Sequence, residues 1–232
     1  MITKKYFRSL ANKEIALGSQ RFMKPNKGEY AYGDKFLGIR VPKIREIAKE
    51  NISLSISKTN SFIRSEFHEE RLLGLIILVY KYEKERDESI KEELYQNYLA
   101  HFKYINNWDL VDVTCPKIIG RHLFERDRSI LYTWAKSDNL WIKRISMITN
   151  WWFIRKGDLR EVYKLSVILL HDEHDLIHKA VGWMLREAWK KDSKQTEAFL
   201  KKYYKQMPRT MLRYAIEKIP EGKRQKYLKN KI

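Results

Sequence analysis

Cysteine is almost missing from this chain of 232 residues, where Cys115 stands alone. A single cysteine excludes an intramolecular disulfide and a cysteine-based zinc cluster, and it fits a reducing, cytoplasmic setting such as the bacterial nucleoid. Long hydrophobic runs are missing too. The longest, Leu72 to Tyr80, is far too short to span a bilayer. The opening Met1-Ile2-Thr3-Lys4-Lys5-Tyr6-Phe7-Arg8 lacks the apolar core of a signal peptide. Neither a membrane partner nor secretion is therefore expected. Glycine-rich phosphate loops and HExxH do not occur. His171, His174 and His178 include one pair four residues apart, yet no obvious third ligand stands beyond Asp172, Glu173 and Asp175. Capping of a helix start is the simpler role for these residues, and neither a metal nor a cofactor is expected.

Acids are scarce relative to bases. Lys and Arg number 47 against 29 Asp and Glu, for a formal charge of +18. With 44% hydrophobic residues the chain is a folded protein and not a disordered basic tail. Such a charge points to a polyanionic partner, nucleic acid before an anionic membrane surface, although a merely lysine-rich soluble protein has the same composition.

What is present is helix after helix. Residues 4 to 23 carry apolar and charged positions at helical spacing, 24 to 29 form a loop, and 30 to 40 read as a packed connector. Val41-Pro42 opens a helix through Lys49, with proline tolerated in the first turn. Further helices are expected near 55–64, 67–85, 88–102, 106–123, 127–137, 140–156, 159–170, 174–191, 194–205, 208–218 and 221–229. No alternation long enough for a strand occurs, so the fold class is all-α. The helices also repeat. Arg71, Trp108, Arg144, Lys179 and Arg213 fall in one register, with successive spacings of 37, 36, 35 and 34 residues. Periods of that length built from helix pairs indicate a HEAT-like solenoid, an α-α superhelix expected to be a single domain over 1–232. Equivalent positions line one face of such an array. A row of four cations and one aromatic on a concave basic face repels itself unless an anion meets it, and phosphate is the simplest such anion.

The candidate chemistry centres on Asn106-Asn107-Trp108-Asp109-Leu110-Val111-Asp112. As a helix start, this places the Trp108 indole and the Asp112 carboxylate one turn apart on one face. Trp108 as a core residue and Asp112 as a surface or capping acid remain open. Against that, a carboxylate weakens adhesion in a basic row, so its presence there is better explained by chemistry. Asp109 points away from the pair and complements the helix dipole. Leu140-Trp141-Ile142-Lys143-Arg144 and Gly182-Trp183-Met184-Leu185-Arg186 combine indoles with cations, and Arg144 and Arg186 can grip phosphates bidentately. Trp183 follows the small-residue face of Ala180 and Gly182, which admits another backbone at close range. Burial between repeats is an equal reading for Trp183 and a better one for Trp141, Trp151 and Trp152.

These blocks, with Asp34-Lys35-Phe36-Leu37-Gly38-Ile39-Arg40-Val41-Pro42, His178-Lys179-Ala180-Val181-Gly182-Trp183 and Met207-Pro208-Arg209-Thr210-Met211-Leu212-Arg213, resemble the AlkD-like DNA alkylation repair family over nearly the whole chain. The resemblance implies a HEAT-like fold holding duplex DNA, expected to act as a monomer, and excision of N3- and N7-alkylated purines. It places the catalytic aspartate on Asp112, its aromatic neighbour on Trp108, a second indole on Trp183 and a backbone-contacting arginine on Arg144. A family tyrosine falls on Phe22, which lacks the hydroxyl. The resemblance further implies catalysis without extrusion of the base into a pocket.

The chemistry suits the residues. A cationic alkylpurine leaves as a neutral base and needs no general acid, so what must be stabilised is the positive charge developing on the deoxyribose. An anion beside that carbon does this, and indole faces add to it. Base excision by a monofunctional glycosylase is the first expectation, with Lys143, Lys179, Arg186, Arg213 and Arg71 as further DNA contacts. DNA-structure or damage binding without excision is the alternative on the same scaffold. A protein–protein scaffold, whose affinity would lose little with added salt, is the third.

Overall fold

The computed structural model describes residues 1–232. They form helices joined mostly by short turns, apart from a longer connector over 24–40, with one isolated bridge between Lys35 and Phe67 and no strand. The chain is all-α, as its periodicity predicts, and divides into two compact units, Met1–Ile118 and Ile119–Ile232.

The first unit contains α1 (Lys4–Ser9), α2 (Lys13–Met23), α3 (Val41–Glu50), α4 (Ile56–Ile63), α5 (His68–Lys84), α6 (Glu88–Leu99) and α7 (Trp108–Cys115). Every residue of α5 from His68 to Val79 is buried. A helix enclosed on all sides needs neighbours on all sides, and α3, α4, α6 and α7 pack around it. The connector before α3 is packed as expected, with Ala31, Leu37 and Ile39 buried.

The second unit contains α8 (Arg121–Leu123), α9 (Ser129–Ala135), α10 (Leu140–Ile148), α11 (Asn150–Arg155), α12 (Arg160–Ile168), α13 (Asp175–Lys191), α14 (Ser193–Tyr203), α15 (Arg209–Ala215) and α16 (Glu221–Leu228). Its centre is α13, against which α10, α11, α12, α14 and α15 pack. The helices that share the repeat register are neighbours within each unit: α5 packs on α7, and α10 and α15 both pack on α13. In the second unit Arg144, Lys179 and Arg213 are each the fifth residue of their helix. The molecule is a helical repeat fold; Arg71 is the fourth residue of α5 and Trp108 the first of α7, so the register is kept in the second unit and drifts in the first.

Several helices end a few residues short of expectation, and two are divided. The helix expected over 106–123 is interrupted after Cys115 by a wide π-helical turn over Pro116–Gly120. Pro116 has no N–H to give the Asp112 carbonyl one turn earlier, so the regular ladder stops there. The helix expected over 140–156 is divided only at Thr149, whose backbone stays helical at φ −49, ψ −34. No helix is long and apolar enough to cross a membrane.

Close helix contact depends on glycine at the same register step in both units, three residues after Arg71 and three after Lys179. A Cβ on Gly74 would lie 2.8 Å from Ile63 N and 2.9 Å from Thr59 O. A Cβ on Gly182 would lie 2.5 Å from both Met211 O and Tyr214 Cβ. Ala gains up to about 1 kcal/mol of helix propensity over Gly, but pushing α15 away costs more. Gly182→Ala is therefore expected to destabilise by about 1–3 kcal/mol, read as a lower urea midpoint with an unchanged slope.

Candidate nucleic-acid interface and active site

Helix α7 starts where Asn107, in extended backbone at φ −150, ψ 156, turns into the helix and caps it by accepting from Trp108 N at 2.8 Å. Trp108 and Asp112 occupy the first and fifth positions of α7, and both are half-buried. An indole and a carboxylate one turn apart are thus within reach of solvent, on a helix whose other residues Leu110, Val111, Thr114 and Cys115 are buried. The far end is tied by a 2.6 Å hydrogen bond between Thr114 Oγ1 and the buried Tyr98 hydroxyl.

The near end is tied by charge. Asp109 lies in the first turn, as its dipole role predicts, and accepts from Leu110 N at 2.8 Å. It is also buried and 2.8 Å from His68 Nε2, an arrangement that α7 alone does not announce. His68 belongs to the first turn of α5, where four consecutive ionisable residues are all buried. Each has its own partner. Glu69 accepts from Leu37 N at 2.9 Å and Gly38 N at 2.8 Å. Glu70 receives Arg8 Nε at 2.7 Å and the Ser65 hydroxyl. Arg71 reaches Asp34 Oδ2 at 2.7 Å and Ser65 O at 3.1 Å. Asp34 also accepts from Asn106 Nδ2 at 2.9 Å. One helical turn therefore gathers α1, the connector and the start of α7.

Charge in this cluster is held by mutual pairing. Burial opposes a charged imidazole at His68, but the Asp109 carboxylate and its hydrogen bond, followed by Asp34, outweigh it and push the ring up to about 9. Burial likewise works against a charged Asp34, yet His68, Arg71 and Asn106 together hold it below the ordinary carboxylate value. The sequence does not announce the pairing of His68 with Asp109 or of Asp34 with Arg71. The available signal was the run His68-Glu69-Glu70-Arg71 ahead of an apolar stretch, since charges opening an enclosed helix must find partners.

Arg71 is a correction to the expected row of phosphate contacts. Its side chain is 4% exposed and paired with Asp34, so it serves the interior of the first unit. Phe22, near the end of α2, is 73% exposed, and its carbonyl accepts from the Tyr30 hydroxyl at 2.9 Å.

In the second unit the expected cations differ in setting. Arg144 departs from its expected backbone contact in the same way: it is 4% exposed and donates through Nη1 to Leu176 O at 2.6 Å, which ties α10 to the first turn of α13. Lys143 pairs with Asp172, Lys179 with Asp175 at 2.7 Å, and Arg186 with Glu217 and Glu187. Arg213 is exposed, and Trp183 is half-buried beside the α13–α15 contact. Trp141 is buried, whereas Trp151 and Trp152 are half-buried under Arg155 and Arg121, whose guanidinium carbons lie 4.7 and 4.4 Å from the rings. His174 caps α13 by accepting from Leu176 N at 3.1 Å, and burial holds its ring below the ordinary histidine value. No cluster of three or more His, Cys, Asp or Glu is arranged to hold a metal ion.

The family described as DNA alkylation repair enzyme matches residues 3–219. Among solved structures, one described as a predicted DNA alkylation repair enzyme from Enterococcus faecalis is similar at a TM-score of 0.70. It shares 18% identity over 91% of this chain and 97% of that one, which speaks to the fold. No match is found among curated proteins.

Proposed function

The chain belongs to the DNA alkylation repair enzyme family, and from that premise we propose that it is a monofunctional DNA glycosylase. Its substrates are N3- and N7-alkylated purines in duplex DNA, and the reaction is hydrolysis of the N-glycosidic bond. The observation that carries this reading is the half-buried carboxylate of Asp112 one turn from the half-buried Trp108 indole, in a chain of net charge +18. An acid at that place weakens the attraction for phosphate. A glycosylase uses it, because positive charge grows on the sugar as the cationic base departs.

In this mechanism Asp112 stabilises the oxocarbenium-like sugar and orients the attacking water. The departing base is neutral, so no proton donor takes part. Trp108 offers its π face to the sugar, and Trp183 is a further candidate DNA contact within the second unit. Lys143, Lys179, Arg186 and Arg213 supply phosphate contacts. Arg144 contributes by holding the first turn of α13, the helix that carries Lys179, Trp183 and Arg186. The protein acts as a monomer and without a cofactor, in the cytoplasm where the chromosome lies.

The test is release of free base from methylated duplex DNA, followed by chromatography. N7-methylguanine and N3-methyladenine are expected in the soluble fraction, and DNA affinity is expected to fall linearly with salt on logarithmic axes. The absence of hydroxyl chemistry at Phe22 favours a second reading, binding to damaged DNA without excision. Tight, salt-sensitive binding with no base release would establish that reading and remove the first.

A further inference from the structure

We propose that His68 is a positioning residue for α7: its ring, held between Asp109 and Asp34, sets the helix start that carries Trp108 and Asp112. The argument begins with the geometry of the first turn. Asp109 directly follows Trp108 and precedes Asp112 by three residues, so a rotation of α7 at Asp109 moves both functional side chains. The contact that fixes Asp109 comes from another helix. His68 Nε2 stands 2.8 Å from Asp109 Oδ2, and His68 sits in α5, the most enclosed helix of its unit.

The second nitrogen explains why a charged ring is suited to the task. Nδ1 stands 3.6 Å from Asp34 Oδ2, a charge contact longer than a hydrogen bond, and it has no partner at bonding distance. A neutral imidazole can donate to Asp109 only by turning a lone pair toward the Asp34 carboxylate, whereas the imidazolium presents N–H to both. The charged groups around the ring are Asp34 from the connector, Arg71 from α5 and Asp109 from α7, with the Phe36 ring 5.2 Å away. Two carboxylates thus meet one guanidinium, and the proton on His68 completes the balance.

Two neighbouring ties anchor the residues just before the helix. Asn106 donates to Asp34 at 2.9 Å, and Asn107 donates to Met23 O at 3.3 Å. Neither touches α7 beyond its cap. His68 alone among them grips a residue inside the helix.

The linkage has a definite sign. A ring pushed up to about 9 from an ordinary 6.5 contributes stability that is complete below about pH 6.5 and is lost as pH rises through about 9. Loss of the proton should therefore release the start of α7 in the same interval.

The experiment follows the ring-carbon NMR signals of Trp108, identified by their loss in Trp108→Phe, together with those of His68 between about pH 7 and 10. The expected result is one shared midpoint near pH 9, moved lower by about one unit or more in Asp109→Asn. Trp108 signals in the wild type that are indifferent to His68 titration overturn the proposal. A second arm rests on the glycosylase reading and measures single-turnover base release. His68→Gln is expected to lower the rate about 10–100-fold while duplex affinity changes by less than about twofold. A folded His68→Gln protein with the wild-type rate and wild-type α7 signals would also overturn the proposal. Trp108 signals that follow His68 in a protein releasing no base would uphold the positioning role and remove the glycosylase reading instead.

Discussion

Asp112→Asn is expected to slow release of methylated purines by about 10²–10³-fold, a loss of about 2.7–4 kcal/mol of transition-state stabilisation. The amide keeps the size and hydrogen-bonding outline of the carboxylate and removes its charge, which is the property the developing cation on the sugar calls on. Asp112 is half-buried, and a melting curve of the variant separates lost catalysis from lost fold. Duplex affinity should hold steady or rise, since a negative charge near phosphates has been removed. The measurement pairs single-turnover base release with equilibrium binding to the same methylated duplex. An Asp112→Asn protein as fast as wild type would show that the anion stabilising the sugar lies elsewhere. A drop in release matched by an equal drop in binding would point to a disturbed surface and not to lost catalysis.

The largest effect on stability is expected at Asp34. Its side chain is 6% exposed and meets Arg71, His68 and Asn106 at once. Asp34→Ala would leave the Arg71 guanidinium buried without its carboxylate partner, a defect costing about 3–5 kcal/mol. That is a large share of the stability of an ordinary domain, so the urea midpoint should fall sharply. Asp34→Ala combined with Arg71→Met should recover part of the loss, because the orphaned charge is removed with its partner. The exposed pair of Lys35 and Glu66, only 2.6 Å apart, provides the contrast. Glu66→Gln should leave the midpoint where it was, since water solvates both groups nearly as well as they solvate each other. Equal losses for Asp34→Ala and Glu66→Gln would refute the view that burial gives the Asp34 cluster its weight.

Much of the architecture follows from local signals. Apolar spacing places α5, α10 and α13 within one or two residues of their observed ends, except where Thr149 marks the division of one expected helix. Pro208 and Pro220 stand at the caps of α15 and α16, where a missing N–H costs nothing. The close face at Gly182 and the capping role of His174 were also legible, since each depends on residue type and on neighbours a turn away. Repeat spacing identified which helices are equivalent, because equivalent helices carry similar residues at similar steps. The Trp108–Asp112 pair belongs to the same class of inference, being a matter of one helical turn.

The setting of each charge belongs to another class. Arg71 and Arg213 share a register, yet the first is buried against Asp34 and the second is exposed. Nothing in their helical phase separates them, because α5 is enclosed by four neighbours. His68 and Asp109 are 41 residues apart in the chain, and Asn106 and Asp34 are 72 apart. Periodicity records which face of a helix is apolar, an outcome settled within a few residues. An ion pair across such distances exists only once separate helices have packed and excluded water, and that exclusion is what makes pairing obligatory. Residue order thus specifies the helices, their repeat and the indole–carboxylate pair on α7. Packing determines which charges remain available to DNA and which are spent holding α7 in place.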